Sequence, residues 1–144
     1  MLLGEFEHTV DEKNRLTLPA RFRKSFEGGV VLTRAIDRCL SVYPKEEWAR
    51  RLGGRLGELE GLSRDDRRMQ RFFFSSAAEV ELDKQGRVMV PAVLMQHAGL
   101  GRDVTVAGVY DHLEIWDRAA WREHLKEVEG SAEHVAERLA AKRD

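Results

Sequence analysis

The residues best suited to chemistry in this chain belong to a nine-residue pattern that occurs twice. The first copy is D-E-K-N-R-L-T-L-P, from Asp11 to Pro19, and the second is D-K-Q-G-R-V-M-V-P, from Asp83 to Pro91. Both follow D-x-x-x-R-φ-x-φ-P, where φ is an aliphatic residue. An Asp can close a turn by accepting backbone hydrogen bonds, and an Arg presents a charged group with several hydrogen-bond donors. A single copy would indicate only a hairpin with a salt-bridged Asp and Arg, but the duplication favours a functional pair of loops.

The two loops are predicted to share one backbone shape. Asn14 precedes the Arg in the first copy and Gly86 in the second, and these residue types best tolerate a positive φ. Alternate aliphatic residues of the strand after each loop then point inward: Leu16 and Leu18, and Val88 and Val90. The alternation leaves Arg15 and Arg87 near the loops, either on the same strand face as Thr17 and Met89 or twisted towards solvent.

Basic residues gather around the predicted loops, although the chain as a whole is not basic. They are Lys13, Arg15, Arg21, Arg23 and Lys24 near the first loop, and Lys84 and Arg87 at the second. The formal net charge is -1 and the pI is about 6.5, so nucleic acid could be bound only through a local patch. Acidic neighbours dilute this patch, and each protomer is expected to bind DNA weakly. Several protomers that presented their loops in one arc would bind tightly through their effective concentration, so we expect a homo-oligomer.

Signatures of catalysis and of metal binding are missing from the sequence. No G-x-S-x-G motif, Gly-rich phosphate loop with a Lys, or H-E-x-x-H motif occurs. The histidines do not fall at metal-ligand spacings, so no metal and no cofactor is predicted. Cys39 is expected to be a small buried residue rather than a nucleophile. Glu79, Glu81 and Asp83 alternate as a carboxylate-based hydrolase could use them, but such a row is more often a solvated face. We therefore do not expect an enzyme.

Length and composition favour one compact domain built from two halves. The chain has 144 residues, of which 42% are hydrophobic and 34% are charged; this suffices for one core but not for two ordinary domains. A single cysteine excludes an intramolecular disulfide, and no apolar run approaches the roughly 20 residues of a membrane span. The N-terminal residues do not resemble a signal peptide. We expect a soluble cytoplasmic protein without a small-molecule substrate.

The elements that position the loops are predicted to occur in two similar runs, residues 5–47 and 76–119. In the first, a strand leads into the loop and another leads out, Pro19 opens a short helix with Phe22 and Phe26 on its apolar side, and a hairpin follows. The second run has the same order. The loops lie 72 residues apart, and Trp48 and Trp121 lie 73 apart, which indicates duplication. Pairing of the halves into one pseudo-symmetric barrel would cover each other's strand edges.

A helical connector is predicted for residues 48–75. A helix that starts before it, at Pro44, continues into the connector through Leu52. An irregular helix interrupted by glycines follows. Four leucines are expected to hold this irregular part on the core: Leu52, Leu56, Leu59 and Leu62. Ser63 then caps a helix that ends in three phenylalanines, residues 72–74, which are predicted to lie in the core.

C-terminal helices are predicted for residues 120–144. Asp117 caps the first of them, and a last helix begins after Gly130, at about Ala132. The last helix has a narrow apolar side that includes Val135 and Leu139. It could pack either on its own domain or on a neighbour.

The two motifs and their surroundings resemble a known family. D-E-K-N-R-L-T-L-P-A-R-F-R and D-K-Q-G-R-V-M-V-P-A resemble the paired D-x-x-x-R motifs of the MraZ family of bacterial transcriptional regulators. The resemblance extends to the second hairpins and to Trp48 and Trp121, and it covers the chain up to about residue 130. Asn14 departs from the Gly that such loops often carry, but Asn also tolerates left-handed backbone.

The resemblance implies a fold, a partner and a set of site residues. The implied fold is α+β: a pseudo-symmetric, swapped-hairpin, AbrB-like β-barrel formed by the two repeats, with flanking helices, assembled into a ring. The implied function is repression of the chain's own operon, the division and cell-wall gene cluster, through tandem repeats of double-stranded DNA in the nucleoid. The implied DNA contacts are Lys13, Asn14, Arg15, Lys84, Gln85 and Arg87, while Asp11 and Asp83 support the loops. The alternative is an antitoxin-like module that binds another protein through the C-terminal helices.

Overall fold

The strands and helices of the chain follow each other in two similar runs. The computed structural model describes residues 1–143 and shows an α+β protein, as predicted. Its strands are β1 (Leu2–Thr9), β2 (Arg15–Thr17), β3 (Val30–Arg34), β4 (Leu40–Pro44), β5 (Ala78–Val80), β6 (Arg87–Met89), β7 (Asp103–Tyr110) and β8 (Leu113–Asp117). Its helices are a 3₁₀ helix (Ala20–Phe26), α1 (Lys45–Arg50), α2 (Leu52–Gly57), α3 (Arg64–Phe74), α4 (Ala92–His97) and α5 (Arg118–Arg143).

The strands of the two halves are interleaved. Six strands form an antiparallel sheet in the order β1-β7-β8-β4-β3-β5, and β2 pairs with β6 in a separate two-stranded ribbon. Exchanging β1 with β5, β2 with β6, β3 with β7 and β4 with β8 leaves both strand orders unchanged. The centre of this pseudo-symmetry in the ribbon is the pair Leu16 and Val88. Each half therefore supplies strands with which the other half pairs.

The hydrogen bonds of the six-stranded sheet do not close it into the predicted barrel. β1 and β5 are its two ends and do not pair with each other. The ribbon covers the core by packing instead, because its inward side chains join those of the sheet in one hydrophobic cluster. These ribbon residues are each at most 1% exposed: Leu16, Leu18, Val88 and Val90. Since packing already excludes water from this face, closure by further strand pairing is not needed.

Short helices after both ribbon strands complete the core. The 3₁₀ helix follows Pro19 and buries Phe22 and Phe26, as predicted. α4 follows Pro91 and buries Leu94. Both prolines have the φ that their rings impose, -52° and -58°, which suits the entry into a helix.

The first connector helix is shorter than the sequence predicted. α1 ends at Arg50 and α2 begins at Leu52, because the backbone of Arg51, with φ -109° and ψ -111°, is not helical. Of the leucines expected on the core, Leu56 is buried. Leu62 is 82% exposed, so the prediction for it is wrong.

A turn before α3 explains the exposed leucine. Gly61 has φ +72° and redirects the chain next to Leu62. Ser63 Oγ accepts a hydrogen bond from the backbone N–H three residues on, at 3.0 Å, which confirms the predicted cap. Of the three phenylalanines expected in the core, Phe73 is buried but Phe74 is 39% exposed.

One continuous helix, α5, forms the C-terminal part, so the prediction of a separate last helix after Gly130 is wrong. A Gly inside a helix costs about 1 kcal/mol relative to Ala, and the many strong helix formers around it outweigh this. Asp117 accepts a hydrogen bond from the backbone N–H three residues on at 3.0 Å, which confirms the cap. Trp121 Nε1 donates to Glu5 Oε2 at 3.0 Å, but no residue within Arg118–Arg143 is buried. Asp144, the last residue of the predicted C-terminal segment, lies outside the described residues.

No helix among residues 1–143 has both the length and the apolar character that crossing a membrane requires.

Candidate nucleic-acid interface

A carboxylate holds the first loop and its Arg together. Asp11 Oδ1 accepts hydrogen bonds from the backbone N–H groups of Lys13 and Arg15, both at 2.9 Å. Its Oδ2 accepts a hydrogen bond from Arg15 Nε at 2.7 Å, which is also an ion pair. The backbone N–H of Asn14 donates to the Asp11 carbonyl at 3.0 Å, and Asn14 has φ +58°. The loop therefore needs a residue that tolerates left-handed backbone just before the Arg.

The second loop repeats this geometry. Asp83 Oδ1 accepts hydrogen bonds from the backbone N–H groups of Gln85 and Arg87 at 2.9 Å, and Oδ2 accepts one from Arg87 Nε at 2.7 Å. Gly86 has φ +77° and matches the left-handed residue of the first loop. Arg87 Nη2 also donates to Gln85 Oε1 at 3.3 Å. Lys13, at the position equivalent to Gln85, cannot accept such a bond, so only the second Arg is held at two points.

Both carboxylates are stabilised in their charged form. The pKa values of Asp11 and Asp83 lie below the ordinary value of 3.8, chiefly because the backbone N–H of the Arg four residues on donates to each carboxylate. The guanidinium of the same Arg lowers the pKa further. At neutral pH each loop therefore holds an ionised Asp against a charged Arg, and the charges of this pair cancel.

The outward face of the ribbon brings the two arginines together. Arg15 is paired with Met89, and Thr17 with Arg87, across β2 and β6. These four side chains alternate with the buried residues and so lie on the face opposite the core, which was one of the two alternatives from the sequence. The Arg15 and Arg87 side chains are 29% and 25% exposed. Their Cα atoms are diagonal across the ribbon, about 7–8 Å apart in a regular antiparallel pair, so one face can present both guanidinium groups to one ligand.

The two loops lie at opposite ends of the ribbon. The backbone N–H of Val90 donates to the Asn14 carbonyl at 2.8 Å, and that of Leu18 donates to the Gly86 carbonyl at 3.0 Å. Each loop is thus bonded to the far end of the other half's strand. These two bonds mark hydrogen-bonded pairs, and such pairs alternate with non-hydrogen-bonded pairs along an antiparallel ribbon. The two outward pairs, Arg15 with Met89 and Thr17 with Arg87, are therefore non-hydrogen-bonded pairs, in which side chains lie closest together.

Each half of the chain matches one family model. The model described as "MraZ protein, putative antitoxin-like" matches residues 1–71 and again residues 73–143. The chain belongs to the MraZ family. This confirms the prediction from the paired D-x-x-x-R motifs, and the match to the MraZ model continues beyond the point, about residue 130, to which the resemblance was traced.

Three curated members of the MraZ family, each named "Transcriptional regulator MraZ", are similar over nearly the whole chain. The protein of Heliobacterium modesticaldum is 48% identical over 139 residues, which is 96% of each chain. That of Moorella thermoacetica is 42% identical over 139 residues, again 96% of each. That of Acetivibrio thermocellus is 41% identical over 140 residues, 97% of each.

Two arginines flank the loops of this MraZ-family chain in ways that the sequence did not predict. Arg23 packs on Gly86 of the second loop, not near the first loop as predicted, because β2 runs towards that loop. An added Cβ atom at Gly86 would collide with Arg23 Nε. Arg102 lines a surface depression with Asp11 and Arg15, and its carbonyl accepts a hydrogen bond from the backbone N–H of Val10 at 2.8 Å. Arg102 belongs to no motif, and only the pairing of β1 with β7 brings it to the first loop.

Two other predicted members of the basic patch lie elsewhere. The Arg21 guanidinium is over the ring of Phe6, 5.5 Å from its centroid. Lys24 lines a separate surface depression with Glu27 and Lys45. Neither of these surroundings includes a residue of the two loops.

Residues considered for catalysis or metal binding have structural partners. Cys39 is buried, as expected, and burial raises the pKa of its thiol. Glu79 Oε1 lies 2.6 Å from Lys45 Nζ, so the row of carboxylates is interrupted by an ion pair. His97 Nε2 lies 2.9 Å from the Ala35 carbonyl oxygen. Within residues 1–143, no group of His, Cys, Asp and Glu side chains is arranged to hold a metal ion.

One histidine lies in a cluster of charged and aromatic residues away from the loops. His112 Nδ1 is 2.6 Å from Asp111 Oδ1, and its Nε2 is 3.8 Å from Glu114 Oε2, an ion-pair distance. Its ring stacks on Tyr43 with centroids 4.7 Å apart. Burial alone would lower the pKa of His112, but the carboxylates of Glu114 and Asp111 together outweigh burial and raise it above 6.5. The folded state therefore favours the protonated ring.

Proposed function

We propose that this chain is a transcriptional regulator that binds double-stranded DNA sequence-specifically, as a repressor. The observation that carries the proposal is the duplicated loop, in which one Asp holds the backbone and the Arg by the same three hydrogen bonds in both copies. An Arg that is already held in place loses less side-chain freedom when it binds a ligand. The names of the three relatives support a function in transcription.

Arg15 and Arg87 are the proposed base-reading residues. In each loop the Asp carboxylate takes only the Nε–H of the guanidinium, which leaves hydrogens on both terminal nitrogens for guanine O6 and N7. The major groove admits a two-stranded β-ribbon, so the ribbon of β2 and β6 has the right dimensions to enter it. The flanking loop residues are assigned to phosphates and neighbouring base edges: Lys13, Asn14, Lys84 and Gln85.

The wider proposal concerns the target and the assembly. We propose that the chain binds tandem DNA repeats upstream of its own operon, the division and cell-wall gene cluster. It would do so in the cytoplasm, at the nucleoid. We propose that the interleaved halves form the swapped-hairpin, AbrB-like arrangement. Several subunits would assemble into a ring that presents one ribbon to each repeat. A formal net charge of -1 supports such an assembly, because weak single contacts become tight only when several are linked.

Fluorescence anisotropy tests the base-reading role. The full chain is titrated into a labelled duplex from the region upstream of its own gene and into a shuffled duplex of equal composition, over a salt series. The unmodified chain should bind the first duplex tightly and the second weakly with a steep salt dependence. Arg15→Ala and Arg87→Ala should each weaken binding to the first duplex by about 1–3 kcal/mol and change binding to the second much less.

A matched variant separates base reading from charge. Arg64→Ala removes the same charge from an exposed position on α3, so it should weaken binding to both duplexes slightly and equally. Lys13→Ala and Lys84→Ala should lower the affinity for both duplexes and make the dependence of affinity on salt concentration less steep. Equal losses on both duplexes for the Arg15 and Arg87 variants would show that these residues contact only phosphates.

A second candidate function is an antitoxin-like module that binds another protein. It is favoured by α5, which runs from Arg118 to Arg143 without a buried residue, and by the antitoxin-like description of the family model. Deleting residues 131–144 separates the two functions. A DNA-binding protein should keep its loops and most of its affinity for DNA, whereas a protein-binding module should lose its partner.

A further inference from the structure

An exposed methionine lies between the charged residues of the outward ribbon face. Met89 is 57% exposed and is paired with Arg15 across the ribbon. The corresponding position of the first half is Thr17, which is paired with Arg87. Because both pairs are of the non-hydrogen-bonded kind, the Cα atoms of each pair are about 4.5 Å apart. Each Arg thus has one side chain with a methyl group directly beside it on the same face.

We propose that Met89 and Thr17 are specificity-determining residues that contact the 5-methyl groups of thymines next to the guanines read by Arg15 and Arg87. The inference rests on the proposed function, since it assigns further residues to the same interface. The thymine methyl is the apolar group that the major groove offers, and apolar side chains and the Thr methyl are its usual partners. A flexible thioether side chain adapts its shape to such a contact.

The two residues differ, and this difference breaks the pseudo-symmetry of the face. Leu16 and Val88 at the centre are both aliphatic, and each of the two outward pairs includes one Arg. Met89 offers only apolar contact, whereas Thr17 adds a hydroxyl that can donate or accept a hydrogen bond. The two halves of one DNA site are therefore read differently, and the preferred site is an imperfect palindrome with the stricter demand for thymine on the Met89 side.

Substitution of Met89 leaves the fold intact. Met89 contributes nothing to the hydrophobic cluster that joins the ribbon to the sheet. Met89→Ala therefore removes an exposed side chain and leaves the buried residues in place. Leu139, which is also 57% exposed but lies on α5, supplies the matched control Leu139→Ala.

The test removes the methyl group of the thymine and the Met89 side chain beyond Cβ, each in turn. The full chain selects its preferred duplex from a random-sequence library, and each thymine of that duplex is then replaced singly by deoxyuridine, which lacks only the 5-methyl. At one thymine beside a guanine, the replacement should weaken binding of the unmodified chain and of Leu139→Ala about fourfold, the value of one buried methyl-sized group. Met89→Ala should bind the thymine and uracil duplexes equally. If Met89→Ala and the unmodified chain respond alike to every replacement, the inference is wrong.

A second variant tests the asymmetry, and the selection itself tests the underlying function. Met89→Thr places a Thr at both positions, so in a repeated selection the stricter demand for thymine on the Met89 side should be lost and both half-sites should be read alike. Recovery of an unchanged site would overturn the assignment while leaving DNA binding intact. If the unmodified chain enriches no sequence from the library, the proposed function fails and this inference fails with it.

Discussion

Replacing Asp11 with Asn separates the positioning of Arg15 from the folding of its loop. In the structure, Asp11 Oδ1 takes two backbone N–H groups and Oδ2 takes Arg15 Nε. An Asn side chain keeps one carbonyl oxygen, which can still accept both backbone bonds. Its amide nitrogen cannot accept the third bond. Asp11→Asn therefore releases the Arg15 side chain while the loop keeps its shape.

The size of the effect follows from the freedom that Arg15 regains. A long side chain that must be ordered on binding weakens affinity by a factor of about two to ten, so affinity for the cognate duplex should fall by that factor. Affinity for the shuffled duplex should stay equal or rise, because a negative charge has been removed from a face that approaches phosphates. In the second loop, Arg87 keeps its bond to Gln85, so Asp83→Asn should cost only about a factor of two.

Anisotropy titrations of both duplexes at one fixed salt concentration measure the ratio of the two affinities. Glu12→Gln is the matched control, because Glu12 is exposed in the same loop while Arg15 Nε is already bonded to Asp11. This control removes one negative charge without releasing Arg15, so both affinities should rise together and the ratio should stay the same. If Asp11→Asn changes both affinities by one common factor, as the control does, the carboxylate does not position Arg15 for base reading.

Two further predictions concern stability. Gly86→Ala should lower the free energy of unfolding in urea by about 1–2 kcal/mol, because Gly86 has φ +77° and an added Cβ would collide with Arg23; Asn14→Gly should change it by less than about 1 kcal/mol, and equal midpoints for both variants would contradict the reasoning. Because the pKa of His112 is raised in the folded state, protonation of its ring stabilises the fold. This contribution is fully present at pH values below the unfolded-state pKa of 6.5 and is lost as the pH rises through the folded-state pKa. The stability advantage over His112→Gln should therefore shrink as the pH is raised from below 6.5, and an advantage that grows with pH would show that the pKa is not raised.

The sequence predicted those features that a residue's own chemistry decides. Asn14 and Gly86 adopt positive φ because few other residue types can do so at low cost. Asp117 caps α5 because its side chain accepts the free backbone N–H groups of a first helical turn. The spacing of Phe22 and Phe26 placed both on one buried side of a short helix. Each of these predictions needs only information within a few residues of the position concerned.

The sequence could not predict features that depend on how the two halves pair. Arg23 follows Arg15 by eight residues, yet it packs on Gly86 because β2 is antiparallel to β6 and ends at the second loop. Arg102 reaches the first loop only through the pairing of β1 with β7. The prediction from local propensity that a helix ends at Gly130 was also wrong, because α5 continues through this residue. The assignment of DNA contacts to Arg15 and its counterpart stays a prediction.

The charges at the ribbon explain why base reading and affinity have to come from different levels of the proposed assembly. In each loop the Asp cancels the Arg that it holds, and in the first loop Glu12 also offsets Lys13. Under the proposed function, one ribbon would therefore attract phosphates weakly and have little tendency to bind DNA at random, while its held guanidinium groups would still distinguish bases. Weak general attraction favours discrimination, because most competing sites in a genome are non-specific. Tight binding then requires several ribbons on several repeats, so selectivity would be a property of the ribbon and affinity a property of the number of subunits that bind together.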